Sequence, residues 1–251
     1  MPPFILLPIL FSAAYIAGLI DAIAGGGGLI TVPVLLAVGL PPQVALGTNK
    51  LQASFGSGSA MLHFVRAGNV RIRDCLQGIL WTAAGSASGF LAVQLLNPSL
   101  LRLIIPWLLA AIALYMFLSP RLGNEDVRAR WPDRLFYPVF GVSIGFYDGF
   151  LGPGTGSFWA MAFMLLLGYS MLRATAHTKV MNFTSNVVAL IFFLAVGQVH
   201  FLEGIVMGTG QFLGARTGAR LVSRRGTAFI RPVFIAMVLA ILIRMIWQNL
   251  H

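Results

Sequence analysis

Apolar stretches of about twenty residues recur along the whole chain, at residues 4 to 24, 44 to 65, 74 to 96, 100 to 118, 135 to 151, 174 to 196, 200 to 222 and 228 to 248. With a rise of about 1.5 Å per residue, a helix of this length crosses a hydrocarbon core of about 30 Å. A hydrophobic content of 58% with only 10% charged residues lies outside the composition of soluble domains. Helices are the open-chain structure that satisfies its own backbone in lipid, so the runs predict an all-α polytopic membrane protein. The first run has no basic flank, carries Asp21 and leads into further apolar segments. It reads as the first span and not as a cleaved signal peptide.

The net charge of +10 comes from arginines in short loops between the runs. That is the pattern of positive charge retained on the cytoplasmic side, and it predicts a lipid bilayer, not nucleic acid, as the partner. Cys75 is the one cysteine, which excludes a disulfide or a thiolate metal cluster within the chain and leaves an apolar filler.

Sliding the chain against itself reveals a duplication. GLIDAIAGGGG from Gly18 aligns with GFYDGFLGPGT from Gly145, pairing Asp21 with Asp148, Gly25 with Gly152 and Gly27 with Gly154. After a two-residue shift, Gly39 pairs with Gly168, Ala45 with Ala174, Lys50 with Lys179, Gly68 with Gly197, Asp74 with Glu203, Gly85 with Gly214 and Gly89 with Gly218. Lys50 and Lys179 are the two lysines of the chain, so their superposition weighs more than any glycine match. The expected organisation is a first transmembrane repeat at 1 to 118, a polar cytoplasmic connector at 119 to 134 and a second repeat at 135 to 251.

Each half holds four long runs and one short one, at 28 to 40 and 156 to 168. If the short segments re-enter, the basic loops at 66 to 73 and 121 to 134 face away from that at 224 to 231, against the positive-inside rule. If they cross, all three loops and Arg173 share one side, each half has five passes, and the halves are inverted repeats with both termini outside. A thirteen-residue helix reaches only about 20 Å, so one end must open into a polar cavity. GGGG and GPGT at the start of each short segment predict a broken helix whose bare backbone faces that cavity. Gly85, Gly89, Gly214 and Gly218 read instead as close-packing positions between helices.

Lys50 and Lys179 lie inside apolar spans, where a cation costs about 2.5 to 3.5 kcal/mol and must face water or a partner. The plainer reading is a structural ion pair within each half, Lys50 with Asp21 and Lys179 with Asp148. The functional reading draws on the polar groups around them. Thr48, Asn49, Gln52 and Ser54 surround one lysine, and His177, Thr178, Asn182, Thr184, Ser185 and Asn186 the other. Such a set suits an oxyanion, and helix N-termini at Gly25, Gly26, Gly27 and Gly28 and at Gly152, Gly154 and Thr155 would add N–H donors. The predicted binding site lies between the lysines. Asp21 and Asp148 remain open as counter-ions, proton carriers or helix-end stabilisers, and His177 as a titrating group or a packed hydrogen-bonder.

His63, His200 and His251 have no second ligand at useful spacing, so neither metal nor other cofactor is expected. There is no HExxH, and Ser57 and Ser59 lie too far along from Lys50 for a Ser–Lys pair on one helix turn. No enzyme is predicted.

The strings GLIDAIAGGGGLITVP and GTNKLQA in the first half, and GFYDGFLGPGTGSF, TAHTKVMNFTSN and GQFLGARTGARL in the second, resemble the TauE/SafE family of sulfite and organosulfur-anion exporters, also called TSUP. The resemblance covers nearly the whole chain. It implies a multi-pass transporter of the bacterial inner membrane with sulfite, sulfoacetate or related sulfonates as substrates. An anion channel, a proton-coupled importer and a membrane scaffold stay open as alternatives, as does homo-oligomerisation.

Overall fold

Ten α-helices and no β-strand account for the regular structure of residues 3–118 and 126–225, which the computed structural model describes. They are α1 (Pro3–Ala24), α2 (Gly28–Ala37), α3 (Pro42–Arg66), α4 (Leu76–Gln94), α5 (Pro98–Leu118), α6 (Asp133–Phe136), α7 (Val142–Phe150), α8 (Thr155–Leu166), α9 (Met171–Ala195) and α10 (Phe201–Arg225). A 3₁₀ turn at Ile72–Cys75 leads into α4, and a π turn at Tyr137–Gly141, where Pro138 withholds a backbone donor, joins α6 to α7. The expected run at 228 to 248, His251 and the connector up to residue 125 lie outside the described residues.

Among the described residues, three segments are each long and apolar enough to cross a membrane by themselves: Phe4–Ile23, Ile72–Gln94 and Met171–Ala195. Helix α3 is equally long, but it buries Thr48, Asn49, Lys50, Gln52 and Ser57. Those polar groups turn inward, which lowers the helix's average hydropathy without placing a charge against lipid.

The two halves of the sequence interlock. α1 packs along α10, which also packs on α3; α4 packs along α7 and on α9; and α3 and α9 pack on each other. Glycine sets how closely these helices approach. A methyl on Gly214 or Gly218 of α10 would run into the main-chain oxygen of Tyr15 or Leu19 in α1. A methyl on Gly85 or Gly89 of α4 would likewise meet Val142 or Phe146 in α7. Where lipid tails are as apolar as the side chains, such backbone contact supplies the dispersion energy of association.

Residues 126 to 131, within the expected connector, form a strap. Val127 N–H donates to Gly168 O at 2.7 Å, and Arg130 N–H to Leu166 O at 2.8 Å. Asp126 accepts the Ser170 N–H and pairs with Arg173 at 2.9 Å, while Arg173 stacks 3.9 Å over the Tyr169 ring. The Ser170 N–H, and after it the Arg173 guanidinium, hold the Asp126 carboxyl below its ordinary value.

Candidate functional site

Both glycine clusters break the helical ladder. α1 stops where Gly25 takes φ +76°, and α7 stops before Gly152 at φ +94° and Gly154 at φ +82°, conformations that an L side chain enters only with strain. α2 starts directly after Gly27 and α8 directly after Gly154. The two breaks touch. A Cβ on Gly25 would collide with the backbone of Gly156, and one on Gly28 would lie 3.0 Å from Pro153 Cα.

A broken helix leaves carbonyls without intrahelical donors at its C-terminal end, where the backbone dipole is also negative. Each lysine meets one such end. Lys50 in α3 donates to Asp148 Oδ1 at 2.6 Å and also to the main-chain oxygen of Asp148. Lys179 in α9 donates to Asp21 Oδ2 at 3.1 Å and also to the main-chain oxygen of Asp21. The pairs therefore cross between the halves. Pairing within each half, Lys50 with Asp21 and Lys179 with Asp148, is not what forms, because α3 passes the end of α7 and α9 the end of α1. Both lysines are 1% exposed, so their charges need the aspartates nearby.

The two aspartates differ in their second oxygen. Asp148 Oδ2 accepts the Ser185 hydroxyl, and its side chain is 4% exposed. Asp21 Oδ1 accepts the Gly27 N–H at 3.2 Å, so it caps the start of α2, and its side chain is 15% exposed.

A small polar cavity lies where the breaks meet. Its polar side chains are Asp21, Asp148, Asn49, Asn182, Asn186 and Gln211. Of the backbone predicted to contribute, Gly25, Gly28, Gly152, Gly154 and Thr155 line it, while Gly26 and Gly27 do not. Lys50 and Lys179 stand behind the aspartates and outside the lining.

The remaining predicted residues take other places. Asn49 Oδ1 accepts from Gln52 Nε2 at 2.7 Å and from the Thr31 hydroxyl at 2.6 Å, so Gln52 supports a lining residue. Thr48 Oγ1 accepts the His200 N–H at 2.9 Å, away from the cavity. Thr178 is buried with its hydroxyl unpartnered. His177 bonds the Arg173 carbonyl at 2.8 Å and packs against Phe163 and Tyr169, the environment of a packed hydrogen-bonder. Ser54 and Thr184 bond to their own helices.

Gln211 was legible as a polar residue inside an apolar run, aligned with Thr82 by the same shift that pairs the lysines, but glycine-rich surroundings drew attention elsewhere. Among the described residues, no three His, Cys, Asp or Glu side chains gather as a metal site would require.

Residues 10–245 match the family described as sulfite exporter TauE/SafE. The chain is 47% identical over 248 residues to a probable membrane transporter protein, ORF9, of Sinorhizobium sp, covering 99% of this chain and 95% of that one. It is 46% identical over 244 residues to a probable membrane transporter protein of Haemophilus influenzae, covering 97% and 96%. It is 48% identical over 231 residues to the probable membrane transporter protein YfcA of Escherichia coli K12, covering 92% and 86%. No solved structure matches. With the family pattern running through both broken helices and both lysine helices, the chain belongs to the sulfite exporter TauE/SafE family of membrane transporters and is not an enzyme.

Proposed function

We propose that the protein is a secondary transporter that moves a small anion, sulfite or an organosulfonate such as sulfoacetate, out across the bacterial cytoplasmic membrane. The observation that carries this reading is the polar cavity where two broken helices meet, with each break pinned by a lysine from the other half. Leu29, Ile30, Thr155 and Ser157 already donate to nearby carbonyls, so the N–H groups of the lining glycines Gly28 and Gly156, with the carboxamides, supply donors for an oxyanion. The lysines neutralise the aspartates that share this wall, so an anion meets no net negative charge there.

Alternating access follows from the inverted-repeat reading. Supporting it, the aligned glycines Gly25 and Gly152, Gly39 and Gly168, and Gly68 and Gly197 all have positive φ. The α1–α10 contact also has its aligned counterpart in α7–α4. In this reading the short helices cross, each half has five passes and both termini face outward. With a cytoplasm-negative potential, each negative charge moved outward gains about 2.3 kcal/mol per 100 mV, so export needs no coupling ion.

The test is counterflow of labelled sulfite in proteoliposomes. Saturable uptake, accelerated by unlabelled sulfite inside, is the expected result. Flux that does not saturate would make the protein a channel, and uptake driven only by an inward proton gradient would make it an importer. No flux of any anion would leave a scaffold.

A further inference from the structure

The cavity wall carries carboxylates and carboxamides but no lysine ammonium. Lys50 and Lys179 are committed to the aspartates at 2.6 and 3.1 Å. Four carboxamides share the lining: Asn49 from α3, Asn182 and Asn186 from α9, and Gln211 from α10. Asn182 is 4% exposed and Gln211 2%, and neither side-chain oxygen has a hydrogen-bond partner. Buried amide oxygens without a donor are unfavourable, and a ligand that donates to them gains in proportion.

Gln211 has little freedom to turn away. A methyl on Gly56 would lie 2.8 Å from its Nε2, and one on Gly18 would lie 2.9 Å from its Cγ, so the side chain runs between two glycines of α3 and α1. The wall thus offers N–H donors for an anionic oxygen and also free acceptors, the orphaned amide oxygens of Asn182 and Gln211. A dianion would bring a second negative charge against two carboxylates whose compensating cations sit behind them. A monoanion with its own O–H would meet donors with its anionic end and acceptors with its hydroxyl.

Resting on the reading of this cavity as the transport site and narrowing its substrate class, we propose that it selects monoanionic oxyanions that carry a hydrogen-bond donor, hydrogen sulfite or a hydroxyalkanesulfonate, over dianions, sulfoacetate among them, with Gln211 and Asn182 reading the donor. For sulfite, the carried species is then the singly protonated one.

Calorimetric titration of the full chain in detergent with 2-hydroxyethanesulfonate, 1-propanesulfonate, sulfate and sulfite tests this. The first two share size and charge and differ by hydroxyl against methyl. The hydroxyl compound should bind about tenfold tighter than propanesulfonate, with sulfate weakest. Gln211→Met should bring that ratio towards one. The wild-type ratio decides the matter even if the variant does not fold. Binding of sulfite without preference for the hydroxyl, or sulfate binding as tightly as 2-hydroxyethanesulfonate, overturns the selectivity alone. Binding of none of the four overturns the transport reading with it.

Discussion

The two helix breaks are built to one plan and finished differently. At the second, Asp148 is 4% exposed, with one oxygen on Lys50 and the other on Ser185. At the first, Asp21 is 15% exposed and divides its oxygens between Lys179 and the N–H of Gly27. The second carboxylate ties side chains of α3 and α9 to its own helix end, whereas the first ties the end of α1 to the start of α2. Gly27 is helical at φ −56° where its aligned partner Gly154 is left-handed at φ +82°, so the first break is also the less sharply turned. Burial makes the second the more enclosed joint, though both aspartates line the cavity.

The largest effect that separates them comes from unpairing the lysines' partners. Asp148→Ala leaves Lys50 buried without its carboxylate and should cost about 3 to 5 kcal/mol, whereas Asp21→Ala should cost less because water reaches that site. Thermal unfolding in detergent reads this, and equal losses would erase the distinction. Next, Gly85→Ala and Gly214→Ala place a methyl against Val142 O and Tyr15 O at aligned positions of the two helix crossings. Each should destabilise by about 1 to 3 kcal/mol, and a large inequality would mean that the crossings are not equivalent.

Ser185→Ala removes the hydroxyl on Asp148 for about 1.5 to 3 kcal/mol. Its aligned position is Gly56, which has no hydroxyl to give Asp21, so the substitution should bring the two breaks closer in stability. The smallest effect lies at the strap. Asp126→Asn should cost no more than about 1 kcal/mol because both partners are half exposed. Since folding lowers the Asp126 pKa, its contribution is complete above the unfolded-state value and is lost as pH falls through the folded one. Unfolding measured from neutral pH down through the acidic carboxylate range should show wild type converging on the variant.

Periodic hydrophobicity made the helices legible: the seven expected long runs within the described residues coincide with α1, α3, α4, α5, α6 to α7, α9 and α10. GGGG and GPGT marked both breaks because glycine alone enters the left-handed region without strain. The partners of the lysines were not legible. Aligning the halves fixes which residues correspond but not which half an ion pair stays within, and that depends on α3 passing the end of α7. Polar residues near a lysine in sequence also did not all reach the cavity. Positions 48, 52 and 177 fall on other faces of their helices, where Thr48, Gln52 and His177 find partners of their own. Gln211 reaches it from a helix whose glycines had been read only as packing.

A double-mutant cycle tests the crossed pairing most directly. Unfolding free energies are compared for Lys50→Ala, Asp148→Ala, Asp21→Ala and the doubles Lys50→Ala/Asp148→Ala and Lys50→Ala/Asp21→Ala. The account predicts a coupling above about 1 kcal/mol between Lys50 and Asp148, with Lys50 and Asp21 additive within about 0.5 kcal/mol. Coupling of Lys50 to Asp21, with none to Asp148, would contradict it.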